Sequence, residues 1–151
     1  MKRFIALVIM ALFIASFPVT AFADEDTYQN NVIYFEDGSY IVVTVVEKNT
    51  RAAGEREGYK YFNYYDKNGV LGWRLQLMGY YEYDGTTATC VSVASVFLPE
   101  DDAYVQVSKT NSKSGNTASC KLVVEKKLLG ITTSKTTHTF NLSCDPNGNI
   151  S

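Results

Sequence analysis

From Val32 onward, runs of valine, isoleucine, threonine and tyrosine alternate with short clusters of glycine, asparagine and aspartate, and this pattern limits the possible folds more than any other feature. β-Branched and aromatic side chains fit a pleated, half-buried surface, and the small polar residues between them are the ones that turns require. No stretch repeats apolar residues at helical spacing. Eight strands are expected, over residues 32–36, 40–47, 59–66, 70–83, 86–97, 103–110, 117–129 and 135–144. The pattern predicts an all-β fold, an antiparallel two-sheet sandwich, with a flattened β-barrel as the alternative. The longest irregular piece, residues 48–58, carries Arg51, Glu55, Arg56 and Glu57 and reads as a mobile, solvated loop.

Two turns predict strand register. Asp84-Gly85 reads as a two-residue type I′ loop, which puts Tyr83 opposite Thr86, Tyr81 opposite Ala88, Gly79 opposite Cys90 and Trp73 opposite Val96. Trp73, Leu75 and Leu77 then point into the core, with Cys90, Ser92, Ala94 and Val96 facing them. If Asp66-Lys67-Asn68-Gly69 closes the preceding hairpin with Tyr65 opposite Val70, Phe62 and Tyr64 point inward. Tyr59, Tyr61 and Tyr65 then point outward, with Arg74 across from Tyr61 and Gln76 across from Tyr59. A slip of one residue would reverse every one of these assignments.

At the start of the chain Lys2 and Arg3 precede an apolar run over residues 4–17, then Pro18 and Ala21-Phe22-Ala23, the arrangement of a signal peptide. The run is shorter than the ~20 residues that span a bilayer. Residues 1–23 are therefore expected to be removed, leaving a single β domain over residues 24–151, secreted and extracellular. That domain has 151 − 23 = 128 residues, and without Lys2 and Arg3 it holds 12 basic and 16 acidic side chains. A net charge of 12 − 16 = −4 gives no electrostatic reason to expect nucleic acid, or a membrane after cleavage, as partner. Cys90, Cys120 and Cys144 all fall in the exported part, where a disulfide persists; one bond and one leftover thiol allow three pairings.

Candidate chemistry is sparse. His138, the single histidine, lies among threonines on a strand and reads as a surface residue, with no nucleophile turn elsewhere. Glu100, Asp101 and Asp102 follow Pro99 as a polar turn, and Asp145-Pro146-Asn147-Gly148-Asn149 lacks the later acidic ligands of a calcium loop. No metal or cofactor is expected, and no catalytic residue is assigned. What stands out is nine aromatic residues between Tyr59 and Tyr83, more than the core-facing side of two strands holds. Tyrosine favours strands without any further role, yet exposed rings beside hydrogen-bonding groups also stack on sugars or grip a protein. Tyr59, Tyr61, Tyr65, Arg74 and Gln76 are thus the candidate ligand-binding residues.

The segments Trp73-Arg74-Leu75-Gln76-Leu77-Met78-Gly79, Tyr83-Asp84-Gly85-Thr86-Thr87-Ala88-Thr89-Cys90, Ser112-Lys113-Ser114-Gly115-Asn116-Thr117-Ala118 and Leu142-Ser143-Cys144-Asp145-Pro146-Asn147-Gly148-Asn149-Ile150-Ser151 resemble those of a group of small secreted β-sandwich proteins of Gram-positive bacteria with no established function. The resemblance spans roughly residues 58–151. It implies an exported β-sandwich in which Cys90 and Cys144 pair, with Cys120 an addition to the pattern. The predicted register, which turns Cys90 and Cys144 inward, agrees with that disulfide. The expected function is a secreted, non-enzymatic binding or interaction domain for an extracellular carbohydrate or protein. A secreted antibacterial protein of the bacteriocin kind is the second reading and an extracellular enzyme the third.

Overall fold

A computed structural model describes residues 27–48 and 54–151. The expected signal peptide, residues 1–23, lies outside the described residues. The domain is all-β, with eight antiparallel strands in two sheets. Strands β1 (Thr27–Tyr34), β2 (Tyr40–Lys48), β3 (Glu55–Tyr65), β4 (Leu71–Tyr83) and β5 (Ala88–Pro99) form one sheet in chain order. Strands β6 (Tyr104–Ser114), β7 (Thr117–Leu128) and β8 (Ile131–Ser143) form the other. The sheets stay separate, so the fold is the sandwich and not the barrel. Residues 55–58 belong to β3 instead of the expected loop, and residues 49–53 of that loop lie outside the described residues.

The core follows from strand alternation. Ile41, Val43 and Val45 on β2, Phe62 on β3 and Trp73, Leu75 and Leu77 on β4 are buried on one sheet. Leu122 and Val124 on β7 and Phe140 and Leu142 on β8 are buried on the other. The layers meet in the aromatic contact of Phe62 with Phe140, ring centroids 4.1 Å apart, and Tyr64 lies parallel to Trp73 at 5.2 Å. Each such ring, fully buried, stabilises by roughly 1.5–3 kcal/mol.

Both predicted turns are longer than expected, for one physical reason: an aspartate carboxylate captures backbone amides that would otherwise join the ladder. Asp84 Oδ1 accepts from the amides of Thr86 at 2.9 Å and Thr87 at 2.7 Å, so residues 84–87 form the loop and Tyr83 pairs with Ala88. Asp66 Oδ1 accepts from Asn68 and Val70, both at 2.9 Å, which leaves Val70 in the turn and pairs Tyr65 with Leu71. A β-bulge then corrects each hairpin. In the β4–β5 ladder Tyr81 pairs with Cys90 and Tyr80 with Ser92, so Val91 is the extra residue. Beyond it the phase of β5 flips, and Val93 and Phe97 pack against the core where Ser92, Ala94 and Val96 were expected. In the β3–β4 ladder the irregularity falls at Gly72, where the ring of Tyr104 leaves no space for a Cβ.

All three cysteines are buried, as the inward phase predicts, but they are free thiols. The Cys90–Cys144 disulfide is therefore corrected. The sheets converge at this corner, where the amide of Cys90 donates to Gly115 O at 2.8 Å and that of Cys144 to the adjacent Asn116 O at 3.1 Å, yet the two sulfurs are not bonded. Each thiol points to a local acceptor: Cys90 Sγ to Ser92 O and Cys144 Sγ to Asp145 O, both at 3.4 Å. Tyr81 stands beside both, its hydroxyl donating to Leu142 O at 2.6 Å across the sandwich. Burial raises both thiol pKa values, that of Cys144 to about 11.

Along one side the two sheets are fastened edge to edge. Lys109 Nζ donates to Ser95 O at 2.6 Å, Lys113 Nζ to Val91 O, and the amide of Cys90 to Gly115 O at 2.8 Å. These contacts tie β6 to the free edge of β5 and satisfy carbonyls that an edge strand otherwise leaves open. On the other side the small sheet ends at β8, short of the β1 edge.

Candidate functional site

The outer face of the five-stranded sheet carries the residues that alternate with the core set. Ile41, Val43 and Val45 claim the inner side of β2, which turns Tyr40, Val42, Thr44 and Val46 outward. The register sets Tyr65 beside Tyr40, Tyr61 beside Thr44 and Gln76, and Tyr59 beside Val46 and Met78. Arg74 pairs with Asn63 and not with Tyr61, and Gln76 with Tyr61 and not with Tyr59, because the longer turn and the bulge at Gly72 each move β4 one residue along β3. The outward phase of Tyr59, Tyr61 and Tyr65 nevertheless holds, since the five-residue turn and the bulge restore the parity.

These residues form two clusters. In the first, Tyr61, Arg74 and Gln76 share with Thr44, Asn63 and Leu98 a shallow depression of about 440 Å³. Gln76 Nε2 donates to Tyr61 Oη at 3.3 Å, and the rings of Tyr59 and Tyr61 run nearly parallel, 14° apart with centroids at 6.5 Å. Tyr59 Oη donates to Glu57 Oε1 at 2.6 Å, which pushes its pKa up to about 12. Arg74 Nε meets Glu100 Oε1 at 3.0 Å across the rim. The second cluster is Tyr65 stacked on Tyr40 at 5.0 Å, with Tyr34 at 5.8 Å from Tyr40. Tyr65 is four residues from Tyr61 along an extended strand, about 13 Å away. The structure therefore brings Tyr59, Tyr61, Arg74 and Gln76 together and sets Tyr65 apart from them.

Sequence reasoning missed Tyr34, Tyr40, Asn63 and Leu98 on this face. The alternation of β2 alone would have turned Tyr40 outward; its stacking on Tyr65 depends on a register that only the folded sheet sets. Chemically the face offers ring surfaces, hydroxyls, two amides and a guanidinium, groups that stack and hydrogen-bond.

A second concavity of about 560 Å³ opens where the small sheet stops, between the inner faces of β1 and β2 and the edge of β8. Ile33, Val43, Phe62 and Phe140 give it an apolar floor, and Asn30, Asn31, Asn141 and Lys60 line it with polar groups. Burial lowers the pKa of Lys60. Further along the same side His138 is not the expected surface residue: it is half-buried, with ring contacts at 5.7 Å to each of Phe35, Trp73 and Phe140, and burial lowers its pKa. Asp145 spends its carboxylate on its own turn, accepting from the amides of Asn147 at 2.8 Å and Asn149 at 2.9 Å. Among the described residues no cluster of histidine, cysteine, aspartate or glutamate is arranged to hold a metal ion. No protein-family model, curated protein or solved structure matches the chain.

Proposed function

We propose that this is a secreted, non-enzymatic binding domain that takes carbohydrate on the outer face of its five-stranded sheet. The observation that carries this reading is the depression where Tyr61 adjoins Asn63, Arg74 and Gln76, with the parallel ring of Tyr59 next to Tyr61. A sugar ring has an apolar C–H face and an equatorial belt of hydroxyls. Parallel tyrosines receive the first, and amide and guanidinium groups at their edge receive the second. Tyrosine also loses little conformational entropy on binding, which suits a shallow surface.

The test is a glycan array followed by calorimetry, using protein recovered after expression of the full-length gene. The reading expects binding to a polysaccharide, weakened at least about tenfold by Tyr61→Ala, as for a hot-spot side chain worth over 1 kcal/mol. Gln76→Ala should weaken it less, and both variants should unfold at the wild-type temperature. Binding that ignores Tyr61→Ala, or an array without a glycan hit, would overturn it.

A further inference from the structure

The three-stranded sheet covers the five-stranded one incompletely, and the uncovered strip runs along the free edge of β8. Ile33 marks it: it pairs with Ile41 on the same face of the sheet, yet Ile33 is 44% exposed and Ile41 only 1%. Two hollows follow one another along that edge, the larger reaching Thr139 and Asn141 and the smaller Thr136 and His138. The stretch of β8 over residues 136–141 thus borders open space for about 20 Å, the length of an ordinary strand. The edge is also competent to pair. Ser143 exchanges both backbone hydrogen bonds with Ser151, each at 2.9 Å, on the side of β8 turned away from β7. Backbone groups alternate along a strand, so the amides and carbonyls of Thr137, Thr139 and Asn141 point to that same side. No described strand pairs with them. Open edges are ordinarily blunted by lysine, proline or a bulge. Residues 136–143 carry none of these, whereas Lys109 and Lys113 close the β5 edge on the opposite side of the sandwich.

The chain itself shows what fits there. Ile150 and Ser151 form the first rung of a fourth strand antiparallel to β8, with Ile150 opposite Cys144. The side chain of Ile150 is buried against the inner face of β3 at Gly58, where a Cβ would come within 2.9 Å of it. Glu47 Oε1 accepts from the Ile150 amide at 3.0 Å and anchors the rung to β2. Inward residues of a strand are two apart, so a strand continuing this line brings its next inward side chain level with Lys60, two residues past Gly58. The following ones lie over Val43, Phe62 and Ile33, the apolar floor of the larger hollow. Lys60 is the one charged side chain lining that hollow, half-buried and without an ion pair among the described residues. A carboxylate on the incoming strand is the group that offsets its desolvation.

We propose that the free edge of β8 takes an extended peptide segment of a protein partner as an added antiparallel strand. Alternate apolar side chains of that segment rest on Ile33, Val43 and Phe62, and one acidic side chain meets Lys60. Main-chain hydrogen bonds to Thr137, Thr139 and Asn141 supply affinity, and the inward side chains supply selectivity. The site uses β8 and the inner face of the large sheet, so it is independent of carbohydrate binding on the outer face.

Panning a displayed library of random peptides, each long enough to span the edge, tests it on the same protein as the glycan array. Enriched peptides should alternate apolar residues and carry aspartate or glutamate in the apolar phase. When the best of them is added as a synthetic peptide, hydrogen exchange at Thr137, Thr139 and Asn141 should slow. N-methylation at its alternate residues, in the phase that donates to β8, keeps the side chains, removes the donors and should abolish binding. Lys60→Gln should weaken binding about tenfold. Thr139→Pro removes an outward amide that makes no ladder bond, so the fold should persist while the peptide binds about tenfold more weakly. Tyr61→Ala should leave peptide binding unchanged. The proposal is overturned if no acidic, alternating sequence is enriched, or if the N-methylated peptide or Lys60→Gln binds as the parent does. It is equally overturned if the slowed amides lie elsewhere, or if sedimentation velocity shows a second copy of the chain on this edge.

Discussion

Gly79→Ala should destabilise this domain strongly, although in a strand the same change normally favours folding by about 0.5–1 kcal/mol. A Cβ built at Gly79 lies 2.3 Å from Tyr81 Oη, 2.5 Å from Cζ and 2.6 Å from Cε2. Tyr81 is fully buried, so its ring has no solvent to retreat into. Retreat would also break the 2.6 Å bond to Leu142 O, a buried hydrogen bond between the two sheets. Overpacking costs about 1–3 kcal/mol, and a buried hydroxyl and carbonyl left without partners cost about another 1–3 kcal/mol. The sum, about 2–6 kcal/mol, is a large part of the ~5–15 kcal/mol that holds a domain folded. Urea unfolding monitored at Trp73 measures it, and the midpoint should fall by at least about 0.7 M for a slope of ~1–3 kcal/mol per M. Tyr81→Leu, which removes ring and hydroxyl together, should cost about 2–4 kcal/mol alone. In that background alanine at position 79 has room and should cost less than about 1 kcal/mol, since contacting residues couple. Two costs that simply add, or a Gly79→Ala midpoint equal to that of the wild type, would refute the reasoning.

Burial lowers the pKa of His138 below its ordinary 6.5, so the unfolded chain takes up the proton first. Stability should be complete above about pH 7 and decline as pH falls through the unfolded value toward the folded one; NMR titration of the imidazole should give a value below 6.5, and His138→Gln should flatten the decline. Hydrogen bonds, from the amide of Val70 above all, lower the pKa of Asp66, so its contribution is present above its ordinary 3.8 and lost as pH falls below it. Asp66→Ala should therefore lower the melting temperature at neutral pH and leave a shallower acid dependence. Mass spectrometry after alkylation in denaturant without reductant should find Cys90, Cys120 and Cys144 all modified, whereas the folded protein should resist the reagent because all three thiols are buried and burial raises the pKa of Cys90 and Cys144.

Several features were legible before any coordinate because their causes are local. Alternation along residues 71–83 turns Trp73, Leu75 and Leu77 to one side whatever the strand pairs with, and the same logic turns Tyr59 and Tyr61 to the other side on β3. The turn residues Asp66, Gly69, Asp84 and Gly85 mark where strands end, because they supply positive φ or a carboxylate that caps amides. These periodicities were enough to predict eight strands, the sandwich and an outward tyrosine face.

Tertiary structure decided how the strands register. The choice between a two-residue loop and a longer carboxylate-capped one at Asp84 involves competing local hydrogen bonds, and the bulge at Val91 settles which phase of β5 meets the core. The bulge at Gly72 admits the ring of Tyr104 from the other sheet, a contact between residues 32 positions apart, and together with the longer Asp66 turn it moves Arg74 from Tyr61 to Asn63. The cysteine phase was readable, but whether two inward thiols meet depends on which sheet each strand joins and on Tyr81 beside them. By itself, then, the sequence determined which side chains share a face along an uninterrupted strand such as β4, because that is a property of a pleated backbone. Which side chains became neighbours was left to the folded domain, because neighbours across strands and sheets follow from bulges and closures that require every layer to be in place.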